Sequence, residues 1–343
     1  MKVAFFDTKP YDQKIFQKHN NNPNIDITFF EARLTEKSVL LAKGFDVVCI
    51  FVRDEITSKV IDCLEEFGIK MIALRCAGYN NVDFKAAFGK IKVVHVPAYS
   101  PYAVAEFTVS MMLTLNRKIH KSYGRTRDMN FSLNSLLGFD MNGKTVGVVG
   151  TGKIAKILIK ILKGFGCNIL TFDIYEDKQA SIELGFTYTS LDNLFSKSDI
   201  ISLHVPLTKD TEYIINKKSI QKMKDNVMII NTGRGKLINT VDMIDALKKK
   251  KIGAAGLDVY EEEDRYFYED YSERVITDDV LARLLSFPNV LITSHQAFFT
   301  NEALTNIAKT TLESMESLMK NKPLVNEIAY ICDENGCAIK TPN

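Results

Sequence analysis

The chain has 343 residues, 46% hydrophobic and 25% charged, an ordinary globular composition at a length suited to two domains. Its 44 basic and 42 acidic residues leave a net charge of +2, too weak a field to favour nucleic acid or a membrane surface, so a small polar metabolite is the better-suited partner. No stretch approaches the about 20 apolar residues of a membrane span. The cysteines, Cys49, Cys63, Cys76, Cys167, Cys332 and Cys337, form no Cys-x-x-Cys pair and read as reduced cytoplasmic thiols, with no metal site implied.

In chain order, short runs rich in Val, Ile and Phe come first: Val3 to Phe6, Ile25 to Phe30, Val47 to Val52, Lys70 to Leu74 and Val93 to Val96. Helical patterns separate most of them, which predicts an α/β fold with parallel strands covered on both faces. From Pro101 to His120 runs a long helical stretch that is apolar around most of its circumference, as in a helix buried between domains or subunits.

A second series begins at Thr145 to Val149 and continues through Asn168 to Phe172, Asp199 to Leu203, Val227 to Ile230, Ala254 to Leu257 and Val290 to Thr293. Six strands suit a dinucleotide-binding sheet. The basic run Lys248 to Lys251 ends a predicted helix, where cations complement the dipole. Glu302 to Met319 reads as one helix with Leu304, Ile307, Ala308, Leu312, Met315 and Leu318 along a face, suited to return to the first domain. Beyond Asn326 the tail reads as polar, irregular and partly mobile.

Between the strand Thr145 to Val149 and the next helix lies Gly150-Thr-Gly152-Lys153-Ile154-Ala155, a Gly-x-Gly-x-x-Ala fingerprint. Gly150 permits the tight turn and Gly152 the approach of a pyrophosphate. Small Ala155 permits close helix packing, and the amides of Lys153 and Ile154 point at phosphate. The following strand leads to Asp173, 23 residues after Gly150. An acidic side chain there hydrogen-bonds an adenosine ribose and repels a 2′-phosphate, so NAD is expected over NADP.

Three more segments end predicted strands, the edge at which open α/β sheets bind ligands. Asn231-Thr232-Gly233-Arg234 offers a guanidinium suited to a carboxylate. Asp258-Val-Tyr-Glu261-Glu262-Glu263 offers three acids, among which periodicity does not choose. Ser294-His295-Gln-Ala-Phe298 offers an imidazole whose ordinary pKa near 6.5 suits proton delivery to a keto oxygen. A carboxylate partner for that ring favours its protonated form.

In this order and spacing, these motifs resemble the D-isomer-specific 2-hydroxyacid dehydrogenases over roughly residues 1 to 325. Within the family, the loop from Tyr260 with Asp278-Asp-Val-Leu-Ala-Arg-Leu resembles the fermentative bacterial D-lactate dehydrogenases. The resemblance implies two doubly wound parallel-sheet domains with a cleft between them. One is a flavodoxin-like substrate domain of residues 1–100 and 298–343, and the other a Rossmann NAD-binding domain of residues 101–297. It implies that Arg234 anchors the substrate, that His295 donates the proton and that Glu263, five residues after Asp258, partners the histidine. Asp258 would contact the nicotinamide carboxamide side, with Val205, Pro206, Thr211, Thr232 and Gly233 lining the cofactor. The amides of Ala77 and Gly78 and the Tyr99 hydroxyl would hold the substrate carboxylate. Phe51 and Phe298 would wall its methyl group, although ordinary core packing accounts for either aromatic equally well.

Two departures from the family pattern are Ala155 for a commoner Gly and Gly233 for a commoner Ser or Ala. The expected reaction is reduction of pyruvate to D-lactate by NADH in a homodimer or homotetramer, with the apolar Pro101 to His120 stretch crossing to the neighbouring subunit. The alternatives are a dehydrogenase for another D-2-hydroxy acid, such as 2-hydroxyisocaproate, or for glyoxylate, and a non-catalytic NAD-sensing protein on the same scaffold.

Overall fold

The structure is a computed structural model and describes the backbone of residues 1–333 and 336–339 and the side chains of 1–331, 338 and 339. The chain divides into two compact units, one from Met1–Ser100 together with the chain from Phe299 onward, the other from Pro101–Phe298.

The first unit begins with β1 (Lys2–Phe5), α1 (Pro10–His19), β2 (Asp26–Phe29), β3 (Val47–Ile50), α2 (Ser58–Glu66), β4 (Met71–Leu74), α3 (Phe84–Ala87) and β5 (Lys92–Val94). Its sheet is parallel throughout in the order β2-β1-β3-β4-β5, which is the flavodoxin-like order. Both β3 and β4 are buried along their whole length, so they read in sequence as unbroken apolar runs instead of alternating ones. The strand order reverses between β1 and β3, and the loops leaving the carboxyl ends there are the natural place for a ligand.

The second unit contains α4 (Pro101–Arg117), α5 (Ile119–Arg127), β6 (Thr145–Val149), α6 (Lys153–Gly164), β7 (Asn168–Phe172), α7 (Lys178–Leu184), β8 (Thr187–Tyr188), α8 (Leu191–Lys197), β9 (Ile200–Leu203), α9 (Lys217–Lys222), β10 (Val227–Asn231), α10 (Thr240–Lys248), β11 (Ile252–Leu257), α11 (Asp279–Leu285) and β12 (Val290–Ile292). They build a seven-stranded parallel Rossmann sheet in the order β12-β11-β10-β9-β6-β7-β8. The strand beyond the expected six is β8, whose two residues are too short for a periodicity signal.

The helical stretch expected over Pro101 to His120 is interrupted at Lys118, which takes a left-handed φ of 52°. Helix α4 buries Ala105, Val109, Met112 and Leu115 in one cluster with Val146, Val148, Leu158 and Ile159. Its apolar circumference is therefore largely accounted for by packing within its own unit.

The chain then enters α12 (Asn301–Met319), which buries Leu304, Ile307, Ala308, Leu312 and Met315 and packs on α1 and β4 of the first unit, while Leu318, near the helix end, is only partly buried. Among the described residues of the tail, part is regular against expectation: β13 (Tyr330–Asp333) and β14 (Gly336–Ile339) pair antiparallel, Tyr330 opposite Ile339. Among the described residues no helix is long and apolar enough to cross a membrane. Cys49, Cys63, Cys76 and Cys167 carry free thiols, while the side chains of Cys332 and Cys337 lie outside the described residues.

Candidate active site

The sheet of the second unit reverses its order between β6 and β9, and the fingerprint lies on the loop leaving β6 at that point. Gly150 has φ +95°, and a Cβ there would stand 2.6 Å from the carbonyl oxygen of His204 and 3.0 Å from Val205. Only glycine lets the loops after β6 and β9 touch. A Cβ on Gly152 would meet nothing within 4 Å, so backbone room for a phosphate group exists at the start of α6. Lys153 and Ile154 open that helix, where the first amides lack intrahelical acceptors. Ala155 is fully buried, as close helix packing demands.

Asp173 follows β7. Its Oδ2 accepts from the Thr151 amide at 2.6 Å and the Thr151 hydroxyl at 2.9 Å, and its Oδ1 from the Tyr175 amide at 3.0 Å. Partial burial works against its charge, but these donors outweigh it and hold the carboxyl below its ordinary pKa. A fixed negative charge at this distance from the glycine turn suits an unphosphorylated ribose. In the loop after β9, the Thr211 hydroxyl donates to the Pro206 carbonyl at 2.6 Å. Thr232 is buried and its hydroxyl pairs with that of Thr108 at 3.0 Å. The turn, the open helix start and the acid together fit a dinucleotide.

His295 lies just beyond β12 with φ +52°, an uncommon left-handed conformation that its neighbours hold in place. The constraints are three. Its amide donates to the Asp258 carbonyl at 2.7 Å, its carbonyl accepts the Tyr268 hydroxyl at 3.0 Å, and its Nδ1 meets Glu263 Oε1 at 2.7 Å. The other Glu263 oxygen accepts the Tyr260 amide at 3.0 Å, so the carboxylate is itself oriented. Burial alone would lower the imidazole's pKa. The hydrogen bond and charge of Glu263, with the charge of Asp258, outweigh burial and the opposing Arg234 and raise it above its ordinary value. Arg234 is thus electrostatically within reach of the ring, and its Nη1 also donates to the Gly233 carbonyl at 2.8 Å. The Arg234 loop is closed by Asn231, whose side chain donates to the Arg234 carbonyl and accepts the Gly233 amide. A Cβ at Gly233 would make only ordinary contacts, from 3.4 Å, so that departure from the family pattern is conformationally neutral.

Asp258 is fully buried, and both its oxygens are committed to the His295 segment. Oδ1 accepts the Thr293 hydroxyl at 2.6 Å and the Gln296 amide at 2.9 Å, and Oδ2 accepts the Ala297 amide at 2.8 Å. This geometry gives Asp258 a share in shaping the histidine loop, a role its spacing from Glu263 does not announce. Phe298, at the end of that segment, is buried.

In the first unit, Arg75 and the turn Cys76-Ala77-Gly78 leave β4. The Ala77 carbonyl meets His95 Nδ1 at 3.0 Å and the Gly78 carbonyl meets the Cys76 thiol at 3.1 Å. The amides of both residues take no acceptor among the described residues, which suits an incoming carboxylate. Tyr99 is partly exposed, and its carbonyl accepts from Asn306 of α12 at 2.6 Å. Phe51 leaves β3 and is mostly buried, its ring 4.8 Å from the Arg75 guanidinium.

Sequence reasoning assigned no role to Arg75, Asp12, Asp54, Tyr268 or Gly235. Arg75 is fully buried, donates to the Asp7 carbonyl at 2.7 Å and reaches Asp12 at 3.5 Å. Burial pushes Asp54 up to about 7 despite the nearby Arg75 charge. A Cβ on Gly235 would stand 2.1 Å from the Tyr260 backbone, so this glycine lets the Arg234 loop seat against the start of the Glu263 loop. A large apolar neighbourhood pattern could not reveal any of these, because each depends on loops that meet only in the folded chain.

Residues 109–297 match the NAD binding domain of the D-isomer specific 2-hydroxyacid dehydrogenases. The chain is 52% identical over 330 residues to a D-lactate dehydrogenase of Escherichia coli strain K12, covering 96% of this chain and 100% of that one. It is 53% identical over 328 residues to a 2-hydroxyacid dehydrogenase homolog of Haemophilus influenzae, covering 95% and 98%. An apo structure of D-lactate dehydrogenase from Escherichia coli superposes with a TM-score of 0.88 at 49% identity, covering 96% of this chain and 100% of that one.

Proposed function

The chain belongs to the D-isomer-specific 2-hydroxyacid dehydrogenase family, an NAD-dependent group of enzymes, and on that premise we propose that it is a D-lactate dehydrogenase reducing pyruvate to D-lactate. The observation that carries this reading is the imidazole of His295, joined through Nδ1 to Glu263 at 2.7 Å, which raises its pKa above the ordinary histidine value against the opposing charge of Arg234.

Bound NADH supplies a hydride to the keto carbon. With Nδ1 committed to Glu263, Nε2 is the nitrogen of His295 that remains to give a proton to the keto oxygen. Arg234 pairs with the substrate carboxylate and stabilises charge developing on that oxygen. The Ala77 and Gly78 amides and the Tyr99 hydroxyl hold the carboxylate, while Phe51 and Phe298 exclude water around the methyl group. Asp173 takes the adenosine ribose, and Gly150, Gly152, Lys153 and Ile154 take the pyrophosphate. Val205, Pro206, Thr211, Thr232, Gly233 and Asp258 line the remainder of the cofactor. In lactate oxidation the same nitrogen, deprotonated, receives the proton.

The enzyme is a cytoplasmic homo-oligomer, at least a dimer. Support comes from α5 and the segment after it, where Met129, Phe131, Leu133 and Leu137 are exposed, the last by 88%. The segment is ordered by Asn116, whose side chain both donates to and accepts from the Phe139 backbone. An apolar arm fixed in this way needs a covering surface.

The test follows NADH absorbance with pyruvate, 2-ketoisocaproate and glyoxylate. Pyruvate is expected to give the highest kcat/KM. Preference for 2-ketoisocaproate would move the substrate, and no turnover of any keto acid would remove the enzymatic reading.

A further inference from the structure

The loop carrying Phe51 is held more firmly than a hydrophobic wall requires. Asp54, fully buried, accepts the Phe51 amide on Oδ2 at 2.6 Å and the Leu34 amide on Oδ1, also at 2.6 Å. From the other side, the Asn81 side-chain amide donates to the carbonyls of Phe51 and Asp54, both at 2.9 Å. Asn81 is anchored in turn, since its own carbonyl accepts the Ile56 amide at 3.0 Å. Both backbone groups of Phe51 are therefore engaged by side chains, the amide by Asp54 and the carbonyl by Asn81. The ring meets the Arg75 guanidinium at 4.8 Å, and that guanidinium also covers Phe5 at 4.4 Å. Arg75 immediately precedes the Cys76-Ala77-Gly78 turn. One buried cation thus touches the aromatic wall and begins the turn assigned to the substrate carboxylate.

We propose that Asp54 and Asn81 are positioning residues for Phe51, and that by fixing this ring they set the preference for pyruvate over bulkier 2-keto acids. This rests on the reading of the protein as a pyruvate reductase with Phe51 against the methyl group. A ring free to swing aside would leave the methyl group of pyruvate poorly packed and make room for a longer side chain. The carboxylate turn, the histidine and the cofactor site would be untouched. The effect therefore falls on KM and on discrimination, and kcat for pyruvate is spared.

The test compares wild type, Asp54→Asn and Asn81→Ala with pyruvate and 2-ketoisocaproate at saturating NADH, after circular dichroism and a thermal melt confirm folding. Each variant is expected to raise KM for pyruvate about tenfold, and to lower the kcat/KM ratio of pyruvate to 2-ketoisocaproate by about the same factor, the scale of one methylene-sized change in an apolar pocket. The kcat for pyruvate should stay within about twofold and KM for NADH should not move. Phe51→Leu should shift the ratio in the same direction. If one variant unfolds, the other decides, because the two grip opposite ends of the Phe51 backbone. Folded variants that keep the wild-type ratio, a loss of kcat without a change in ratio, or unfolding of both would overturn the assignment. Wild-type protein inactive on both acids would overturn the underlying reading instead.

Discussion

Glu263 and His295 form the closest acid–imidazole pair of the second unit, Oε1 to Nδ1 at 2.7 Å, with the histidine held in a left-handed backbone conformation. Neither feature is independent of the other. The ring reaches the carboxylate because the Asp258 carbonyl and the Tyr268 hydroxyl grip the histidine's backbone from two sides. That double grip is what offsets the cost of the strained φ, of order 1–3 kcal/mol.

The pH dependence of reduction follows from this pair. The His295 pKa is raised, so the proton-donating form persists above the ordinary histidine range, and kcat/KM for the keto acid should be flat at low pH and fall as pH rises through the raised value. Glu263→Gln removes the charge that does most to hold it up and leaves only Asp258 to oppose burial and Arg234. The inflection should move down, and above it the rate should fall about tenfold for each pH unit of that movement. Folding stability carries the same sign: protonated His295 contributes fully below about 6.5, and the contribution is lost as pH rises through the folded-state value. A pH–rate profile superimposable on wild type would remove Glu263 from this role.

Asp258 permits two readings that one variant separates. Its carboxylate accepts from Thr293, Gln296 and Ala297, and Asp258→Asn would turn a donor against at least one of those donors. Leaving a buried amide unsatisfied costs about 1–3 kcal/mol, so the melting temperature should fall. If the residue chiefly shapes the histidine loop, kcat should drop about tenfold or more with NADH affinity unchanged. If it chiefly contacts the nicotinamide, the NADH dissociation constant should rise, measurable by fluorescence titration without substrate.

The exposed arm beyond α5 makes a prediction about assembly. Leu133 and Leu137, exposed by 81% and 88%, are surface residues with nothing to lose in an isolated chain. Leu137→Asp, or both changed together, should leave the monomer folded and shift sedimentation toward the one-chain mass, since a carboxylate buried without a partner is strongly unfavourable at an interface. An unchanged sedimentation coefficient would place the subunit contact elsewhere.

What the sequence disclosed and what it hid divide along physical lines. The runs Val47 to Val52 and Lys70 to Leu74 were visible because strands buried on both faces are uniformly apolar. Gly150 and Asp173 were visible because a local turn and a fixed spacing carry the chemistry. Glu263 was separable from its neighbouring acids as the partner of His295 only through family resemblance, because the two stand 32 positions apart with a loop, a helix and a strand between them. The Arg75 cluster was invisible: Asp7, Asp12, Asp54 and Arg75 are far apart in sequence and converge only when β1, β3 and β4 pair. The interruption at Lys118 had no Gly or Pro to announce it. The β13–β14 pairing was hidden by the polar character of the tail, in which strands this short carry little periodicity.

Cofactor choice should rest on the charge of Asp173 more than on its shape. Asp173→Ala removes the charge but also the acceptor for the Thr151 amide and hydroxyl, and Thr151 lies between the two glycines of the turn. Its effect would mix ribose recognition with damage to the pyrophosphate site. Asp173→Asn keeps the size and one acceptor oxygen while removing the repulsion of a 2′-phosphate. NADH kcat/KM should fall about tenfold to a hundredfold in either variant, the scale of one hydrogen bond to a charged group. Only the asparagine variant separates the two effects, and there NADPH should gain relative to NADH. Discrimination against NADPH that stays at the wild-type level in Asp173→Asn would show that another group reads the ribose.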